Sequence, residues 1–181
     1  VMDGEGLNIF LDDVKKAYND EEIPKETFTG FELALYEEQL LQTDTLAKAK
    51  EYFISTFSDI DTDLLPPKDR EGGVPSSKNI TVVRDKDAKL IIDYCKKHSV
   101  SFNAFINAVF GFVLAEFNYR EDSVFATIYN GRNNSRFSNT VSMLVKTLPV
   151  YCKFNNEDNV SSYINAIQNQ LLNSMANDTY S

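Results

Sequence analysis

Few side chains in this 181-residue chain are equipped for catalysis. It carries one histidine, His98, and two cysteines, Cys95 and Cys152. A nucleophilic site needs a base that is itself oriented by a partner. His98 instead falls where a helix is expected to end, and the partial negative charge there favours a cation. Cys95 and Cys152 fall on apolar faces and read as core. One histidine and two distant cysteines give no ligand spacing for zinc, so no metal site is expected. Lys146 could line a channel but reads first as a solvated strand lysine. Lys86, Lys89, Lys96 and Lys97 form a local basic spot, read as the wet face of a helix. What remains is Asp3-Gly4 at the head of an amphipathic segment and Gly131-Arg132 in a polar loop. Taken alone, Asp3 reads equally as a frayed end residue, and Gly4 as an ordinary helix-entry glycine.

Composition excludes several classes of function. The chain is 43% hydrophobic and 25% charged, as in one ordinary globular domain with a sizeable core. Its net charge of -9 argues against nucleic acid and against anionic membrane surfaces, which need a basic face. No apolar run approaches the roughly 20 residues of a membrane span. Two separated cysteines are too few for a disulfide framework, so a reducing, cytoplasmic setting is expected.

The elements that must position these residues follow from periodicity. Leu7, Phe10, Leu11, Val14 and Tyr18 recur at helical spacing and predict a surface helix ending near Asn19-Asp20. Two helices, or one bent helix, are expected between about 28 and 57, with Asp44 as the cap of the second part. Residues 58–79, with Pro66, Pro67, Gly72, Gly73 and Pro75, read as a long surface loop within one domain. Ile80 to Val83 reads as a short strand, and Asp85 as the cap of a helix with Cys95 on its inner face. Ser101 caps the most apolar segment, expected to be a fully buried helix. Val124 to Tyr129 predicts a buried strand, Val141 to Phe154 an extended segment interrupted at Pro149, and Asn159 the start of a last helix. About six helices and three or four strands point to an α/β fold, a layered sandwich of helices over a small mixed sheet.

Asp3-Gly4 and Gly131-Arg132 belong to an ordered series. The apolar segment from Ser101 leads into the strand Val124 to Tyr129, then Gly131-Arg132, then Val141-Ser142-Met143-Leu144-Val145-Lys146-Thr147-Leu148-Pro149. In order and rough spacing this resembles the condensation domains of nonribosomal peptide synthetases, within the chloramphenicol acetyltransferase-like superfamily. The family signature is two histidines, three variable residues and Asp-Gly, of which Val1, Met2, Asp3 and Gly4 match the end. Lys146 stands where the family usually has Asn, and Ser142 where Gly is common.

The resemblance implies that residues 1–181 form the C-terminal subdomain of a two-subdomain enzyme, a chloramphenicol acetyltransferase-like half-domain. Both catalytic histidines and the N-terminal subdomain are then expected upstream of Val1, with further strands after Ser181. It implies amide-bond formation between thioesters carried on the phosphopantetheine arms of peptidyl or acyl carrier proteins, with no cofactor bound directly and an adjacent adenylation domain. Asp3 is implied to be structural, pairing with an arginine; Arg132, Arg136 and Arg120 are candidates, as is a residue of the other half. Gly4 is implied to keep the channel clear, and Ser142, Met143 and Thr147 are channel candidates. The alternatives are an epimerisation domain of the same fold, a docking module that binds carrier proteins without chemistry, and an unrelated α/β binding domain. Two histidines just upstream of Val1, beyond the one remaining variable position, favour catalysis; any other pair favours docking.

Overall fold

The computed structural model describes residues 1–61, 80–155 and 159–180. The helices are α1 (Gly4–Tyr18), α2 (Gly30–Leu41), α3 (Asp44–Phe57), α4 (Asp85–His98), α5 (Phe102–Phe117) and α6 (Val160–Ala176). The strands β1 (Asp122–Tyr129) and β2 (Lys146–Lys153) pair in a two-stranded sheet. The Phe154 N–H donates to Glu121 O, so the end of β2 lies beside the start of β1 and the strands run antiparallel. Single helical turns occupy Ser135–Phe137 and Asp178–Tyr180.

Helix starts follow local chemistry. Thr29 and Glu32 form a complete capping box on α2. Thr43, rather than Asp44, caps α3: its hydroxyl accepts from Thr45 N and also donates to Leu40 O, which separates α2 from α3 as two helices. Arg84 holds the cap position of α4 without a side-chain bond, and Asp85 and Asp87 sit in the first turn, facing the positive end of the helix. Ser101 caps α5 as expected, and Asn159 accepts from Ser162 N at the start of α6.

The expected strand at Ile80 to Val83 does not form; these residues are irregular and Val82 is 84% exposed. Two strands, not three or four, are present among the described residues. The extended segment becomes β2 only from Lys146, and it runs through Pro149 without a break. A proline needs no ladder donor when its open side faces away from β1. Most of the long loop, 62–79, lies outside the described residues.

The chain divides into two compact units, Val1–Ser58 with Ile128–Leu148 and Ser174–Ser181, and Asp59–Thr127 with Pro149–Asn173. The division crosses β1, β2 and α6 as well as the expected loop. In the first unit, Leu33, Phe137 and Leu144 pack with Phe28 and Tyr36, while Phe53, Tyr129 and Leu148 pack with Tyr52, Phe57 and Met175.

In the second unit α5 buries only its small residues, Ala104, Asn107, Ala108, Gly111 and Ala115. A Cβ at Gly111 would overlap the Cys152 sulfur, so the missing side chain lets helix and strand approach. On the same helix face, Ser123 of β1 donates to Gly111 O at 2.8 Å and Tyr163 of α6 donates to Ala108 O at 3.0 Å. The large residues Phe102, Ile106, Val109, Phe110, Val113 and Phe117 are exposed, so α5 is not the fully buried helix its composition predicts. Gln170 of α6 accepts from Tyr151 N and donates to Tyr151 O, satisfying the backbone of β2 on the side where no further strand pairs with it among the described residues.

Candidate functional site

Asp3 caps α1, a role that its position immediately before an amphipathic helix permits. Its carboxylate is almost fully buried and accepts four hydrogen bonds. Oδ1 takes Gly6 N at 2.7 Å and Arg132 Nη2 at 3.0 Å. Oδ2 takes Leu144 N at 2.9 Å and Val145 N at 3.2 Å. Arg132 Nη1 donates onward to Phe137 O at 2.8 Å and Thr140 O at 3.0 Å. The side chains of Arg132 and Asp3 are 6% and 2% exposed, so this is a buried ion pair whose charges are nearly all hydrogen-bonded. Within the pair, Arg132 Nε has no partner among the described residues. Burial pushes the Asp3 carboxyl up, but the Gly6 and Leu144 N–H groups and the Arg132 guanidinium outweigh it and hold it below its ordinary value.

Gly131 makes the loop possible. Its φ of +67° is disfavoured for other residues, and a Cβ there would land on Leu144 O. The Asp3–Arg132 pair therefore ties three separate segments together: the entry to α1, the loop after β1 and the residues leading into β2.

Of the three arginines expected to compete for Asp3, Arg132 takes it. Arg120 pairs with Asp122 at 3.2 Å and Asp61 at 3.4 Å. Arg136 lies over the rings of Phe28, Tyr36 and Phe137. A Cβ at Gly4 would meet nothing within 4 Å, so no crowding is present at that position among the described residues.

Ser142, Met143 and Thr147 separate. The Ser142 carbonyl accepts from Asp3 N at 3.3 Å, which places this residue at the ion pair. Met143 and Thr147 line a cavity of about 670 Å³ against Ala34, Glu37, Glu38 and Leu41 of α2. Lys146 lines it as well, but is not simply a solvated lysine. Its Nζ donates to Asp178 O at 2.7 Å and lies 3.7 Å from the Asp178 carboxylate. Burial raises the Asp178 carboxyl despite the opposing Lys146 charge. The sequence carried no signal for that contact, since Asp178 lies far along the chain on a single helical turn.

Among the described residues the one hydroxyl at the His98 ring is Ser161, and no carboxylate orients that ring as a base would need. His98 stacks on Tyr94 with ring centroids 4.3 Å apart, and its Nδ1 lies 3.4 Å from Ser161 Oγ, with no carboxylate in ion-pair reach among the described residues. Cys95 and Cys152 are both buried and free, and burial pushes the Cys152 thiol up to about 11. Among the described residues no cluster of His, Cys, Asp and Glu could hold a metal ion, and no single helix is long and apolar enough to cross a membrane.

The family model for the condensation domain matches residues 1–181. The chain belongs to the condensation-domain family. Relatives that it resembles include gramicidin S synthase 2 of Brevibacillus brevis, 23% identical over 99% of this chain, and the hybrid PKS-NRPS synthetase pydA of Acremonium sp, 25% identical over 98%. It spans only 4% of the length of either relative. Among solved structures, the condensation domain of the monacolin K polyketide synthase MokA superposes with a TM-score of 0.82 at 16% identity, over 99% of this chain and 44% of that one. The first condensation domain of the CDA synthetase gives 0.77 at 16% identity, over 99% and 42%. These likenesses establish the fold, α/β with the chloramphenicol acetyltransferase-like architecture expected from the sequence.

Proposed function

We propose that this condensation-domain chain supplies the C-terminal half of an enzyme that joins two carrier-protein-bound thioesters through an amide bond, and that it is inactive alone. The observation that carries this reading is the buried Asp3–Arg132 pair. It fixes the backbone at Asp3, the position of the aspartate in a two-histidine motif ending in Asp-Gly, against the Leu144-Val145 segment. With the two histidines just upstream of Val1, separated from it by the third variable residue, the anchor would hold their backbone beside the cavity lined by Met143, Lys146 and Thr147. Amide formation needs a neutral amine placed against a thioester carbonyl, which is mostly positioning. A histidine would take the amine's proton or hold the amine in place. Asp3, ionised and fully hydrogen-bonded, has no free lone pair for proton transfer; its part is to orient.

The substrates on this reading arrive on phosphopantetheine arms of acyl or peptidyl carrier proteins, with an adenylation domain in the same assembly and a cytoplasmic location. A second reading, a docking module without chemistry, has one specific support. The fold is shared, at a TM-score of 0.75 and 13% identity, with the X-domain of teicoplanin biosynthesis, which was solved in complex with OxyB.

The test is to offer loaded donor and acceptor carrier proteins to this chain, alone and fused behind a half that carries both histidines, and to follow the amide product by mass spectrometry. Product from the fusion only supports the proposal. Product from the chain alone overturns the inactivity, and none from a folded fusion favours docking.

A further inference from the structure

Among the described arginines, Arg84, Arg120 and Arg132 each meet a carboxylate. Arg136 does not. Its guanidinium carbon lies 4.9 Å from the ring centroid of Phe28, 4.3 Å from that of Tyr36 and 5.0 Å from that of Phe137. Three aromatic faces attract the cation and strip water from its flat sides. They offer nothing to its N–H groups, which point outward in the guanidinium plane. Nε is buried with no hydrogen-bond partner among the described residues. A buried N–H on a charged group, left without an acceptor, is costly.

A cavity of about 230 Å³ opens beside it, lined by Phe28, Glu32, Leu35, Tyr36, Gln39 and Arg136. Its walls are apolar apart from the Arg136 guanidinium, the Gln39 amide and Glu32. The Glu32 carboxylate is already engaged, accepting from Thr29 N at 2.7 Å and Thr29 Oγ1 at 2.8 Å in the capping box of α2. It therefore does not neutralise Arg136 but adds one negative charge at the rim.

We propose that this cavity is a binding site for a small hydrophobic carboxylic acid. The carboxylate would dock edge-on to the Arg136 fork, the geometry in which a guanidinium donates two parallel bonds. The carbon body would lie against Phe28, Leu35 and Tyr36. Glu32 sets the preference for a single negative charge, because a phosphate dianion would meet its repulsion while gaining little from the apolar wall. The cavity shares no lining residue with the Asp3–Arg132 pair, so this site is separate from the anchor on which the proposed function rests.

The test is a titration of the 181-residue chain with 3-phenylpropionate, following the Arg136 Nε–Hε resonance by NMR and the heat by calorimetry. Two further arms use 3-phenylpropanol, which keeps the body without the charge, and inorganic phosphate, which keeps charge without the body. Saturable binding of 3-phenylpropionate that moves the Nε–Hε resonance is expected, with both other probes at least about tenfold weaker, as is 3-phenylpropionate itself on Arg136→Gln. Arg136→Lys, which keeps the charge but not the fork, should fall between. No saturable binding, an unmoved resonance at saturation, equal affinity for Arg136→Gln or equal affinity for phosphate would each overturn the proposal. If Arg136→Gln does not fold, the wild-type resonance and the two probe arms decide it.

Discussion

Asp3→Asn is the substitution that most directly probes the anchor. The shape is kept, but one oxygen becomes an NH2 group and the negative charge is lost. Oδ1 faces Gly6 N and Arg132 Nη2, and Oδ2 faces Leu144 N and Val145 N, so whichever way the amide turns, two donors confront its NH2. Arg132, with its side chain 6% exposed, is left as a buried cation without its counter-charge. Breaking a buried, hydrogen-bonded pair from one side costs about 3–5 kcal/mol. With a urea slope of about 2 kcal/mol/M, the unfolding midpoint followed by circular dichroism should fall by roughly 2 M. Asp3→Asn with Arg132→Met should be less damaging than the sum of the two single changes, because the stranded charge is gone. A midpoint shift below roughly 0.5 M, or strict additivity in the double variant, would refute the claim that this pair holds the three segments. The pH dependence has a definite sign. Asp3 is held below its ordinary 3.8, so its contribution is present above that pH and is lost as the pH falls through the lower folded value. In Asp3→Asn that acid loss should shrink.

Gly131→Ala should destabilise by at least about 2 kcal/mol in the same assay, because a positive φ and contact with Leu144 O both oppose a Cβ. Both cysteines should resist a thiol reagent at pH 8 in the folded chain and react together in urea, since each is buried and the Cys152 thiol is pushed up to about 11. Asp178 has the opposite sign to Asp3. Its carboxyl is raised above 3.8, so stability present below that pH is lost as the pH rises through the folded value, and Asp178→Asn should flatten that loss in pH-dependent unfolding.

The sequence disclosed the helices well and the strands poorly. Capping residues and helical spacing act within a few positions, which is why Ser101 caps α5 as expected and the break before α3 falls at Thr43, one residue from the expected Asp44. Ile80 to Val83 has β-branched composition but no partner strand among the described residues, and composition alone cannot supply one. Helix α5 misled for a related reason. Its overall apolarity signals burial, whereas the face that packs is set by the close approach of Gly111 to Cys152, which favours its smallest residues. At the site, the family resemblance implied an arginine partner for Asp3, but three arginines and a residue of the other half stood open. Only the fold selects Arg132, through the turn at Gly131 and the carbonyls of Phe137 and Thr140. The backbone donors Leu144 and Val145 were not legible, because every residue carries such a group and only register aims it. Lys146 was read as a wet strand lysine because the carbonyl it reaches lies 32 residues away.

The most direct measurement of the central claim, that Asp3 positions the reacting groups without exchanging protons, is a pH–rate profile of amide formation. It would compare the fusion carrying both histidines with the same fusion bearing Asp3→Asn. The expected result is a lower plateau with the ionisation limbs unmoved, since a carboxylate held below 3.8 does not titrate in the working range. Loss or displacement of a limb in Asp3→Asn would make Asp3 a participant in proton transfer and contradict the structural role.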